Sequence, residues 1–229
     1  MTRFFSWLVL LSFSALPMQG TAETLTVPPP LADFVDAIPR LNGDTKAAAS
    51  INAALAELDR EQIVAMTCGE GGDNLERGFR HVDILSDGPV FLSLVVSAGA
   101  SCEAQYPGGW VETWNFDLST GARTDLTEYL PDAWTELGRR DPMLFALYLD
   151  SVDETALEEG CLDVLARDFE SGLLELMLGI DTASGRLMIL PEGLIPVESQ
   201  CEEKAMVPVA QLRKAGFLPL LIQAVEGSD

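Results

Sequence analysis

Apolar positions along this chain fall into two rhythms. Residues 90–96, VFLSLVV, are apolar at almost every position, the mark of a strand covered on both faces and therefore central in its sheet. Residues 79–86 precede it across a turn at Asp87, Gly88 and Pro89, so the pair reads as a hairpin. Between 110 and 118 the rhythm becomes an alternation. Trp110, Trp114, Phe116 and Leu118 lie on one face, with Glu112 the polar exception among them, and Val111, Thr113, Asn115 and Asp117 lie on the other. Thr120 and Gly121 supply a turn, and 123–126 is expected to return as a short strand. Residues 173–180 and 186–190, joined at Ser184 and Gly185, form a third hairpin pattern.

Helical spacing marks other segments. Ile51, Leu55 and Leu58 recur at intervals of four and three, predicting a helix that Asp44 caps and that runs to about Asp59, with alanines allowing close approach to a sheet. The short segment 62–67 reads as a strand entering Cys68. Asp125 and Glu128 have capping-box spacing for a helix over 126–130. Asp141 followed by Pro142 starts another, with Leu144, Leu147 and Tyr148 as its stripe, and Asp153 begins a short one carrying Leu157. Pro208 opens a further helix that Gly216 stops, and 217–225 is an apolar helical segment. Hairpins interleaved with helices in this order give an α+β fold, an antiparallel sheet of hairpins covered by helices.

Composition adds an address. Arg3, the largely apolar run 4–16, and the small residues Gly20 and Ala22 predict a secretory signal peptide over 1–22. That run is shorter than the roughly 20 residues a membrane-crossing helix needs. No membrane-spanning segment is expected in the mature chain, which should be periplasmic or secreted. Residues 23–43, with Pro28, Pro29 and Pro30, form a proline-rich lead-in, and 44–229 is expected to be a single α+β domain.

With 36 acidic against 14 basic residues, a net charge of −22, the protein repels nucleic acid, and a partner chosen by charge is basic. Cys68, Cys102, Cys161 and Cys201 are an even set in a chain bound for an oxidising compartment. Cys68 with Cys102 and Cys161 with Cys201 is the expected pairing, since each bond then closes a moderate loop within one half of the chain.

No C-x-x-C is present, and no nucleophile-and-base motif marks a catalytic set around His81, the single histidine. The acidic run Asp150, Asp153, Glu154, Glu158 and Glu159 lacks the alternating ligands and glycine of a calcium loop and reads as a solvated face. No metal and no cofactor are expected. A binding surface is expected on 97–109, held by Cys102, with Glu103, Tyr106 and Trp110 as the candidate contacts. The competing expectation is a polysaccharide hydrolase that uses a carboxylate pair such as Glu103 and Glu112.

One resemblance bears on function. FDLSTGARTDLTEYLP at 116–131, FLSLVVSAG at 91–99, and LMLGIDTASGRLMILPEGL with VPVAQL downstream resemble the extracytoplasmic domain of unknown function found in lysozyme-sensing anti-sigma factors and beside some peptidoglycan deacetylase domains. The likeness spans roughly 51–225. The chain departs from that pattern at Ala104, Gln105, Tyr106 and Pro107, where relatives carry a histidine and an asparagine, and in having four cysteines. What the resemblance implies is an antiparallel α+β domain outside the cytoplasm and, in some members, binding of lysozyme without catalysis. The expected role is therefore non-enzymatic: binding a basic protein such as lysozyme, or a cell-wall fragment.

Overall fold

The computed structural model describes residues 24–67, 75, 78–101, 108–134, 136–194 and 196–227. The expected signal segment, Cys68, Cys102, Glu103 and Tyr106 lie outside them. Within them the hairpins fall into two three-stranded antiparallel sheets. One is ordered β3 (Gly78–Asp87), β4 (Phe91–Ala100), β5 (Gly108–Asp117), and the other β6 (Glu175–Asp181), β7 (Arg186–Glu192), β8 (Ala205–Pro208). A small pair, β1 (Thr24–Thr26) and β2 (Arg40–Asn42), precedes them. The fold is α+β as expected, with β4 central in its sheet.

Three apolar layers explain the near-continuous hydrophobicity of β4. Leu92, Leu94 and Val96 on one face meet Ile51 and Leu55 of helix α1 (Lys46–Met66), together with Trp114 and Phe116 of β5. On the opposite face Val95 meets Met177, Met188 and Leu190 of the second sheet. That sheet turns Leu176, Leu178, Ile180, Leu187 and Ile189 the other way. They meet helices α2 (Pro142–Leu149), α3 (Cys161–Ser171), α4 (Val209–Ala215) and α5 (Pro219–Glu226). The order is thus helix, sheet, sheet, helices. Each fully buried Leu or Phe in these layers contributes on the order of 1.5–3 kcal/mol from removal of apolar surface from water.

Several local expectations change. Thr45, not Asp44, caps α1, its hydroxyl accepting from the Ala48 N–H at 3.0 Å. The helix does not stop near Asp59. It continues to Met66, so the segment expected as a strand at 62–67 is its last turns, because the inward stripe of Ile51 and Leu55 extends to Gln62 and Met66. β4 runs on through Ser97 to Ala100, into the start of the stretch expected as a binding surface. The return strand at 123–126 shrinks to a single bridge, Phe116 with Arg123, before a 3-10 helix at Leu126–Tyr129 capped by Asp125. The segment after Asp153 is a series of turns rather than a helix.

The Asp117 to Gly121 turn is fixed by its own chemistry. Burial pushes the Asp117 carboxyl up, but hydrogen bonds from Ser119 and Thr120 together hold it below the usual carboxylate range. Gly121 has φ +77°, and a Cβ there would sit 2.7 Å from the Ala47 carbonyl oxygen, so only glycine lets this turn rest on the first turn of α1.

Cys161 and Cys201 are joined as expected, linking the start of α3 to the 3-10 helix at Pro196–Cys201. In the chain-entropy model, a loop with a sequence separation of 40 is worth about 4 kcal/mol. No described helix is long and apolar enough to cross a membrane.

Candidate functional site

The later turns of α1 and the first half of β5 enclose a groove of about 220 Å³ lined by Leu58, Glu61, Gln62, Ala65, Trp110 and Glu112. Its placement follows from strand parity. Trp110 and Glu112 share the α1-facing side of β5 with Trp114 and Phe116, and the two nearer the start of the strand reach past the sealed core, as the polar exception at Glu112 implies. Trp110 packs partly on the small cluster of Val35, Met66 and Ala98, which holds the ring against the sheet.

Glu112 is anchored from below. The indole N–H of Trp114, a side chain with no exposed surface, donates to Glu112 Oε2 at 2.6 Å. A fully buried Trp must place its N–H somewhere. Here the partner is a half-buried carboxylate on the groove wall.

The helix wall is pinned by charge. Asp59 on α1 lies 2.8 Å from the guanidinium of Arg80, which is wholly buried, and accepts from Arg40 Nη2 at 3.1 Å. The Arg80 contact is an ion pair without hydrogen-bond alignment, since neither Arg80 Nη1 nor Asp59 Oδ1 gains a directed bond from it. Arg80 Nε adds a bond to the Asp36 carbonyl at 2.8 Å. α1, β3 and the lead-in are thereby locked next to the groove.

Between these walls sits Gln62, 4% exposed, with neither amide atom hydrogen-bonded among the described residues. Buried polar groups are nearly always satisfied, and one that is not costs about 1–3 kcal/mol.

Of the residues expected to bind, Trp110 lines this groove, while Glu103 and Tyr106 lie outside the described residues. The same holds for the carboxylate pair, of which Glu112 alone is described. A helix ending near Asp59 and a strand at 62–67 leave Glu61 and Gln62 off the helix face that packing gives them, since α1 in fact runs to Met66. The available signal was a glutamine on the apolar stripe of a helix, in step with Ile51, Leu55 and Met66.

The acidic run of the second half stays at the surface, where Asp153 accepts from the Thr155 N–H at 2.9 Å and its hydroxyl at 2.6 Å. Among the described residues no group of three or more His, Cys, Asp or Glu is placed to hold a metal ion. No protein-family model matches the chain, and no curated protein matches it either.

Proposed function

We propose that the protein is an exported, non-enzymatic binding domain that takes a basic protein or a cell-wall component at the α1–β5 groove. The observation that carries this is the groove itself: an aromatic ring, two carboxylates and an unpartnered carboxamide converge between a helix pinned by ion pairs and the edge strand of a sheet. Sites built on rigid elements in this way bind without rearrangement.

The wider charge distribution supports the reading, since a net charge of −22 steers cationic partners toward the protein. So does the resemblance of 116–131 to domains that bind lysozyme without catalysis. The apolar leader at 1–22 and the Cys161–Cys201 bond support a periplasmic or secreted address.

Capture experiments at low ionic strength, with lysozyme and solubilised peptidoglycan fragments presented separately to the immobilised protein, test this. Retention of either is expected, with lysozyme lost as salt rises and Glu61→Gln slowing its association. If neither is retained at the lowest salt, the reading fails.

A further inference from the structure

We propose that the open edge of β3 at Val82 and Ile84 takes one extended segment of a basic protein, in which apolar and cationic residues alternate. This surface is separate from the α1–β5 groove, since β3 and β5 are opposite edges of one sheet, and it stands or falls without it.

The backbone decides which groups are offered. Arg80 gives its N–H to the Phe34 carbonyl at 2.8 Å and accepts from the Asp36 N–H at 2.9 Å, so Arg80 and the residues in step with it turn their backbone groups outward. Val82 and Ile84 are the next two, opposite Val96 and Leu94 of β4. The lead-in follows this edge only as far as Asp36, whose carbonyl is taken by Arg80 Nε and whose carboxylate, not its backbone, receives the Val82 N–H at 3.1 Å. Further along, the Thr182 N–H closes the edge on the Leu85 carbonyl at 3.1 Å. Between these closures no hydrogen bond among the described residues reaches the Val82 carbonyl or the Ile84 N–H from outside the sheet. In a parallel ladder a single guest residue donates to the first and accepts from the second. That residue stands beside Asp83, and its two neighbours stand beside Val82 and Ile84 on the other face.

Side chains decide what fits. Val82 and Ile84, with Val27, Pro28, Pro30 and Pro39, line a notch of about 170 Å³. It is smaller than the roughly 300–1,000 Å³ of small-molecule sites and suits one apolar side chain. Ile84 and Val27 are 40% and 61% exposed, apolar surface that such a side chain would cover. The prolines carry no N–H, so these walls cannot donate to the Val82 carbonyl.

Charge names the rest of the guest. Across β3 and residues 27–39 the acidic groups are Asp33, Asp36, Asp83 and Asp87. Against them stand Arg80, wholly buried beside Asp59, and His81, held between Asp36 and Asp83. A guest side chain next to the exposed Asp83 is therefore favoured when cationic. A second copy of the chain fits poorly on the same count, because pairing β3 with β3 sets these carboxylates against each other on two molecules of net charge −22.

Fluorescence anisotropy of the labelled heptapeptide Lys-Val-Lys-Val-Lys-Val-Lys with the purified full chain at low salt tests this. Two further peptides are compared: Glu-Val-Glu-Val-Glu-Val-Glu, and the lysine peptide methylated at its lysine backbone nitrogens. Saturable binding of the unmodified lysine peptide alone is expected. It should weaken about tenfold or more in Ile84→Pro, which removes an N–H that lies outside the β4 ladder, and in Asp83→Lys. The methylated peptide tests the same backbone bond without altering the protein. Absence of binding, equal binding of either comparison peptide, or an affinity for Asp83→Lys within about twofold of wild type would each overturn the proposal. Sedimentation of the protein alone as a dimer that Ile84→Pro dissociates would put a second copy on this edge and reject the basic segment.

Discussion

The Ser93 hydroxyl donates to Asn115 Oδ1 at 2.6 Å, a buried pair on neighbouring strands placed where the two sheets meet. Each partner also reaches across the seam. Asn115 Nδ2 donates to the Leu178 carbonyl at 2.9 Å, and Ser93 Oγ accepts from the Ile180 N–H at 3.0 Å. Leu178 and Ile180 belong to β6, an edge strand whose outer backbone groups would otherwise lie unpaired in the interior. Gly179 lies between them, and a Cβ there would fall 2.7 Å from Leu85 Cδ1, so the Leu85 side chain would have to shift.

From this network, Ser93→Ala should lower stability by about 2 kcal/mol, since it strands the Ile180 N–H, and Asn115→Ala by at least as much, since it strands the Leu178 carbonyl. The double variant should lose less than the sum, because both side chains serve one network. Urea unfolding of the three variants measures this. Strict additivity would mean that the residues act independently.

This seam also shows what could be read in the sequence and what could not. The hairpins, the centrality of β4 and the Cys161–Cys201 bond were legible because strand alternation, turn residues and cysteine spacing are local signals. That there are two sheets was not. The outward positions Thr113 and Asn115 look like a solvated face, and both are buried because a second sheet covers them. Polar residues that bond the edge of a distant strand have the same sequence signature as polar residues that face water. Gln62 was hidden for a different reason: a run of Gln, Ile, Val, Ala and Met before a cysteine has the composition of a strand, and the tertiary contacts of Met66 keep it helical. Nor did the proline content of the lead-in give any sign that Val35 and Ile38 would be buried at 1% exposure each.

Glu112 has a structural duty that must be separated from any role in binding. Glu112→Ala removes the acceptor of a buried indole N–H and should cost about 1–3 kcal/mol. Glu112→Gln keeps an acceptor oxygen and should recover most of that loss while removing the charge from the groove. Thermal unfolding combined with ligand titration distinguishes the effects: the glutamine variant should remain folded and shift only binding. Equal destabilisation by both substitutions would show that the charge itself is what Trp114 requires.

His81 joins the lead-in to β3, with Nδ1 2.9 Å from Asp36 Oδ2 and Nε2 3.1 Å from Asp83 Oδ1. The hydrogen bond with Asp36 is the main influence raising its pKa above 6.5; slight burial opposes it, and the charge of Asp83 adds to the rise. A group whose folded pKa is raised lends stability that is fully present below its unfolded value, near 6.5, and that is lost as pH climbs through the folded value. The clasp should therefore weaken from about neutral pH upward, and only slightly, because the imidazole is 67% exposed and solvent screens the pair. As the single histidine in the chain, His81 gives one imidazole resonance to follow by NMR. Its titration midpoint should lie above 6.5 in the wild type and fall toward the ordinary value in Asp36→Asn, whose amide oxygen can still accept from the Val82 N–H as Asp36 Oδ2 does at 3.1 Å. A midpoint unmoved by that substitution would show that Asp36 does not hold the imidazolium in solution.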